Sequence, residues 1–168
     1  MHKRIQEHFI FSVAILLFVA AGFLFSTALT SQTLVLDRPD PFLLLSTRVL
    51  FYIIGGLQLL LSAFLLMSRT TLINLFLITW GAGMSLLYGF GMAHYQEPDL
   101  FVCLGNLVSF IPFPPAVLLR IVSVVLGGIF VGSCALLAWG RLLITQPPTP
   151  LKRLAYGWGI GALLFGVF

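Results

Sequence analysis

Residues 8–29 read HFIFSVAILLFVAAGFLFSTAL, about 22 residues without a lysine, arginine, aspartate or glutamate. At a rise of about 1.5 Å per residue, such a run crosses the ~30 Å hydrocarbon core of a bilayer as one helix. It follows Met-His-Lys-Arg, and Ser26 and Ala28 resemble a signal-cleavage site. The run is longer than the roughly 7–15 residues of a signal core. It is therefore expected to be a retained first span.

Composition supports the same solvent for the rest of the chain. Of 168 residues, 60% are hydrophobic and only 8% carry charge. A soluble domain carries about 25% charged residues, and fourteen charged side chains are too few to cover a water-facing surface. The net charge of +4 comes from basic residues scattered at segment ends. Binding to nucleic acid needs clustered lysine and arginine, so that class of partner is excluded.

Working outward, three more runs have the length of a span: about 49–67, 72–93 and 116–139. Asp37, Pro39 and Pro41 punctuate the connection before the second, and Ser68-Arg69-Thr70-Thr71 turns the chain tightly into the third. So short a turn predicts antiparallel neighbours. Pro114 and Pro115 suit the start of the fourth, where a missing amide donor costs little. After Arg141 comes a proline-broken basic linker. The chain closes on LAYGWGIGALLFGVF, short for a span and expected to form a fifth helix. The reading is an all-α integral membrane protein: a four-helix transmembrane bundle over 1–140, then 141–168 as linker and short hydrophobic helix.

Lysines and arginines give the orientation. Lys3, Arg4, Arg69, Arg141, Lys152 and Arg153 fall on one rim, and Arg38, Arg48 and Arg120 on the other. The amino terminus is thus expected in the cytoplasm and the loop 94–115 outside an inner (cytoplasmic) membrane.

Four-residue spacings of small residues mark expected packing faces, because small side chains let helices approach in lipid. They are Gly81, Ser85 and Gly89 in the third span, Gly128 and Gly132 in the fourth, and Gly157 and Gly161 in the tail. Trp80 and Trp139 suit an interfacial aromatic belt. Gln58 is the one strongly polar side chain near mid-membrane, suited to bonding across helices or to a quinone or pigment. His94, at the outer end of the third span, is of the type that ligates a haem or pigment metal. Arg48 and Arg120 suit lipid head groups, a partner's carboxylate, or a salt-bridged cap with Asp37, Asp40, Glu97 and Asp99. The three histidines lie far apart and the two cysteines form no CxxC, so no metal-ligand cluster is expected. No carboxylate lies at mid-depth, which argues against proton-coupled transport.

The loop holds Cys103 in CLGN (103–106), followed by IPFPPAVLLRIV (111–122) and, in the fourth span, GGIFVGSCALLAW (127–139). In these parts and their order, residues 40–140 resemble the DoxX/MauE-type membrane proteins, small four-helix proteins often associated with redox systems. Members often carry a Cys-x-Cys before Leu/Phe-Gly. Here Phe101 stands at the first position of that pair, so the resemblance implies the scaffold without the internal dithiol. Cys103 alone remains, as a redox thiol or as a small residue of a docked loop.

The expected function is a non-catalytic accessory or assembly subunit of a larger membrane complex, of electron-transfer or photosynthetic type by the resemblance. The alternatives are a thiol-redox component using Cys103 and a quinone- or pigment-binding protein. No intrinsic cofactor is expected. Lipid, quinone or pigment at an interface with other integral membrane subunits are the candidate bound molecules.

Overall fold

Helices replace the apolar runs with small shifts of boundary. The structure is a computed structural model, and it describes residues 2–30, 37, 39, 44–68, 70–94, 115–139 and 150–166. The helices are α1 (His2–Thr30), α2 (Thr47–Met67), α3 (Thr71–His94), α4 (Pro115–Trp139) and α5 (Pro150–Gly166). The first four contain stretches long and apolar enough to cross a membrane. Among the described residues there is no strand, and Pro39 and Ser46 form an isolated bridge.

Local chemistry sets the ends. The helix α1 starts six residues before the apolar run, because HKRIQE holds strong helix formers and neither glycine nor proline. At the start of α2, Ser46 is the N-cap. Its Oγ accepts from the Val49 N–H at 3.4 Å and its carbonyl from the Leu50 N–H at 3.0 Å. After α2, the Ser68 N–H donates to Phe64 O at 2.7 Å, and the Thr70 N–H donates to Ser68 Oγ at 3.3 Å. These bonds satisfy amides that the tight turn would leave bare. Pro115 opens α4 and Pro150 opens α5. With 17 residues, α5 reaches only about 25 Å.

The register follows from contacts. Ser62 meets Ala14 and Gly55 meets Phe25, so α1 and α2 are antiparallel. Thr79 meets Ser133 and Gly83 meets Phe130, so α3 and α4 are too. Gly157 meets Leu66 and Trp158 meets Ser62, so α5 runs antiparallel to α2 and parallel to α1. One end of the bundle thus gathers the starts of α1, α3 and α5 with the ends of α2 and α4. It carries Lys3, Arg4, Lys152 and Arg153, and we call it the basic end. Asp37, Arg48 and Arg120 lie at the other.

Among the described residues the core is uneven along this axis. Toward the basic end Ile10, Val13, Ala14, Leu65, Leu66, Leu75 and Ile78 form one buried cluster, joined by Leu136 and Leu137 from α4 and Leu154 and Trp158 from α5. All five helices meet there. Toward the other end the described buried cluster is Ala28 with Phe51, flanked by Leu24, from α1 and α2 alone. The helices α2 and α3 are antiparallel as their turn requires. They touch near the basic end, where Asn74 Nδ2 donates to Leu65 O at 3.4 Å and a methyl group on Gly81 would lie 4.0 Å from Leu61.

At the far end Arg48 ties α2 to α1. Its Nη1 donates to Ala28 O at 2.7 Å, and its Nε to Asp37 Oδ1 at 3.0 Å. Ala28 sits in the last turn of α1, where carbonyls lack helical partners and a cation is favoured. The side chain of Asp37 is 59% exposed, so the ion pair itself is worth less than about 1 kcal/mol. Arg48→Ala is therefore expected to cost more stability than Asp37→Asn, by about 1 kcal/mol. Thermal unfolding in detergent at low and high salt checks this: salt narrows the Asp37 effect and leaves the larger part of the Arg48 effect.

Candidate functional site

The bundle interior holds two polar ties. Ser62, fully buried, donates from Oγ to Ala14 O at 2.8 Å and accepts from Trp158 Nε1 at 3.3 Å. One hydroxyl thereby links α1, α2 and α5. The Trp158 ring also packs on Phe18, with centroids 5.3 Å apart. The second tie joins α3 to α4. Thr79 Oγ1 lies 2.8 Å from Leu75 O and 2.7 Å from Ser133 Oγ, and Ser133 Oγ donates to Phe130 O at 2.9 Å. The single Thr79 proton serves one of its two acceptors at a time. In lipid a hydroxyl must find such a partner, since no water is at hand. Neither tie was read from the sequence, where a lone serine or threonine in an apolar run carries no periodic signal.

The structure separates the predicted glycines into two kinds. A methyl group built on Gly161 would fall 2.5 Å from Phe18 Cδ1, and one on Gly157 2.7 Å from Leu66 Cδ1. Only glycine fits α5 this close to α1 and α2. Gly132 lies against Phe9 at 3.4 Å. Gly128 and Gly89 face open space, and Ser85 is exposed and donates back to Gly81 O at 2.9 Å. The face of Gly81, Ser85 and Gly89 is therefore not the seam with α4. That contact runs through Gly83, where Phe130 approaches to 3.2 Å, and the α1–α2 contact runs through Gly55, where Phe25 does the same. Both were missed because a single glycine makes no repeat.

Trp80 does not belong to an interfacial belt. It is the tenth residue of α3, about 14 Å along the helix from Thr71, and 61% exposed. With Phe76, Met84, Leu87 and Phe130 it lines an apolar groove of about 260 Å³ between α3 and α4.

Gln58 is the twelfth residue of the 21-residue α2, at its centre. It lies three, four and seven residues from Gly55, Ser62, Phe51 and Leu65, all buried, and so shares the inward face of α2. Its Oε1 is enclosed and has no hydrogen-bond partner. Asn74, also buried, bonds through Nδ2 while its Oδ1 has none. On α3, Asn74, Ile78, Gly81 and Ser85 share one face by spacing. The first two are buried and the last is exposed. So α2 and α3 meet at Leu61 and Gly81, and further along α3 the same face is exposed at Ser85.

Of the remaining predicted residues, the structure pairs Arg48 with Asp37, as in the expected salt-bridged cap. Arg48 caps α1, and Arg120 is exposed near the start of α4. His94 closes α3 at that same end of the bundle. Cys103 and the segment 95–114 lie outside the described residues, as do Asp40, Glu97 and Asp99. Cys134 is exposed on α4, toward the basic end. Among the described residues, no group of three or more histidine, cysteine or acidic side chains is placed to hold a metal.

A bundle of four helices able to cross lipid, tied inside by hydroxyls and glycines, is the make-up of a multi-pass α-helical membrane protein. No protein-family model, no curated protein and no solved structure matches the chain.

The split between glycines gives a direct check. Gly83→Val is expected to cost about 1–3 kcal/mol by overpacking Phe130, while Gly89→Val leaves the isolated chain unchanged within about 0.5 kcal/mol. Thermal unfolding of both variants in the same detergent measures the difference.

Proposed function

We propose that the chain is a non-catalytic accessory or assembly subunit of a larger membrane complex. The observation that carries this reading is the stretch of α3 at Ser85 and Gly89, which the chain's described helices leave uncovered. Lipid tails gain nothing special from glycines, whereas a neighbouring helix does. The electron-transfer or photosynthetic setting rests on the resemblance to DoxX/MauE-type proteins, which is analogy at the level of the scaffold. In this reading the basic end faces the cytoplasm of an inner membrane, and Arg120 is available to a lipid phosphate or a partner's carboxylate. The fifth helix completes the basic half of the bundle.

Gentle solubilisation of native membranes and mass measurement of the intact assembly tests it. Co-migration with other integral membrane subunits is expected, and Cys103→Ser is expected to leave the assembly intact. A lone monomer with a thiol-dependent activity lost in Cys103→Ser would replace this reading with the thiol-redox one. That rival would need a second thiol, and the chain's other cysteine is Cys134, exposed on α4. A disulfide needs Cα atoms within about 7 Å.

A further inference from the structure

We propose that the groove between α3 and α4 holds one acyl chain of an anionic phospholipid whose phosphate lies against Arg120. This chain alone supplies the site, so the inference goes beyond the subunit reading and does not depend on it. Three observations lead to it.

The first is the groove. Phe76, Trp80, Met84 and Leu87 line it from α3 at four-, four- and three-residue steps, and Gly83 lies against Phe130 of α4. These side chains extend about 16 Å along α3. The surface they make is almost wholly hydrocarbon. Thr79 also lines it, but its hydroxyl is engaged with Leu75 O and Ser133 Oγ. A molecule seated there gains dispersion contacts with aromatic walls and finds no hydroxyl to bond. That selects an alkyl chain over a polar ring or a head group.

The second is the way in. Arg120, Ser123, Gly127 and Phe130 follow one another on α4 at three-, four- and three-residue steps, so they share a face. Ser123 is exposed, and a methyl group on Gly127 would meet nothing within 4 Å. Arg120 therefore connects to the groove over about 15 Å of α4 with little side-chain bulk between.

The third is charge. Arg120 is exposed, five residues after Pro115 opens α4. At the same end Asp37 is already bonded to Arg48, which also caps α1. From this depth a long arginine side chain reaches the head-group level, where its planar fork suits a phosphate. Cation and groove thus match the two ends of a single molecule, a phosphate and an alkyl tail.

The test uses the full chain, delipidated in mild detergent and then exposed to dioleoylphosphatidylglycerol. Native mass spectrometry counts what is retained, and one lipid per chain is expected. Arg120→Gln is expected to lower retention about fivefold, the worth of one cation near a membrane surface, and Arg120→Lys to keep most of it. Gly127→Phe projects into open space, closes the path, and is expected to lower retention about tenfold with the unfolding temperature unchanged. Val125→Phe, on the other side of α4 and also exposed, leaves retention unchanged. Dioleoylglycerol, with the same tails and no phosphate, should bind more weakly and ignore Arg120→Gln. Dihexanoylphosphatidylglycerol, with the phosphate and short tails, should fail to displace the long-chain lipid.

Brominated acyl chains locate the tail. They are expected to quench Trp80, so that the quenching is lost in Trp80→Phe and in Gly127→Phe. Retention that is equal in wild type, Arg120→Gln and Gly127→Phe overturns the inference. So does an effect of Arg120→Gln without quenching of Trp80, because the phosphate contact then exists without the groove. A photo-crosslinking residue at position 84 that joins only protein in native membranes overturns it too, since a helix then fills the groove.

Discussion

Gly161→Val is expected to release α5 from the bundle. A single added carbon at this position falls 2.5 Å from Phe18 Cδ1 and 3.2 Å from Phe18 Cγ. The atoms it meets belong to an aromatic ring held between α1 and α5, with Trp158 packed on its other contact at 5.3 Å between centroids. The ring cannot yield without disturbing Trp158, so the strain passes to the helix–helix distance. Overpacking of this kind costs about 1–3 kcal/mol, and two further methyl groups place valine at the upper end. The neighbouring glycines turn this into a graded series. Gly157→Ala meets Leu66 Cδ1 at 2.7 Å, but that methyl is the far end of a flexible side chain and moves more cheaply. Gly55→Ala meets Phe25 at 3.2 Å and asks for a few tenths of an ångström. Gly159→Ala meets nothing within 4 Å and gains up to about 1 kcal/mol from helix propensity. Unfolding temperatures should therefore fall in the order Gly159→Ala, wild type, Gly55→Ala, Gly157→Ala, Gly161→Val. Hydrogen exchange should show faster opening of the α5 amides in Gly161→Val with α3 and α4 unchanged. An unaltered exchange pattern in α5 would mean that it is held by something other than this close approach.

That series also shows what was readable beforehand. Length and apolarity were enough for the four long helices, since few structures besides a helix tolerate 20 apolar residues in lipid. The largest boundary shift is in α1, which polar helix formers such as Lys3 to Glu7 extend below the apolar run. Spacing was less informative. Gly157/Gly161 and Gly81/Ser85/Gly89 have the same four-residue period, yet the first pair is packed to the limit of sterics and the second group is open beyond Gly81. Period tells which residues share a face. It does not tell which face meets a neighbour, because that depends on how neighbouring helices tilt. The same limit hid Gly55 and Gly83, Thr79 and Ser133, and Ser62, each of which matters through one partner distant in sequence. Gln58 was legible because an amide in lipid is rare whatever surrounds it. What the sequence could not supply was that its oxygen has no partner within the chain.

Ser62→Ala should loosen the same junction from its polar side, and the way the cost divides is informative. The hydroxyl donates to Ala14 O and accepts from Trp158 Nε1. The Ala14 carbonyl sits inside α1 and keeps its own helical bond when Ser62 is lost. Trp158 Nε1 has no such reserve: its N–H is left facing alkyl groups between α1 and α2. The Trp158 side should therefore dominate. Single interhelical bonds in membrane proteins average about 0.6 kcal/mol and reach about 1.7. For Ser62→Ala, an effect of about 1–2 kcal/mol follows when the unpaired donor is added. Trp158→Phe removes that donor and keeps most of the ring contact with Phe18. In the Ser62→Ala background it should cost less than it does alone, giving a coupling of about 0.5–1.5 kcal/mol in a double-mutant cycle. Ser62→Ala paired with Gly83→Val should be additive, since Gly83 lies on the α3–α4 contact with no shared partner. Strict additivity between Ser62 and Trp158 would show that their hydroxyl–indole contact contributes nothing. The docking of α5 would then rest on the glycines and the Phe18 ring alone.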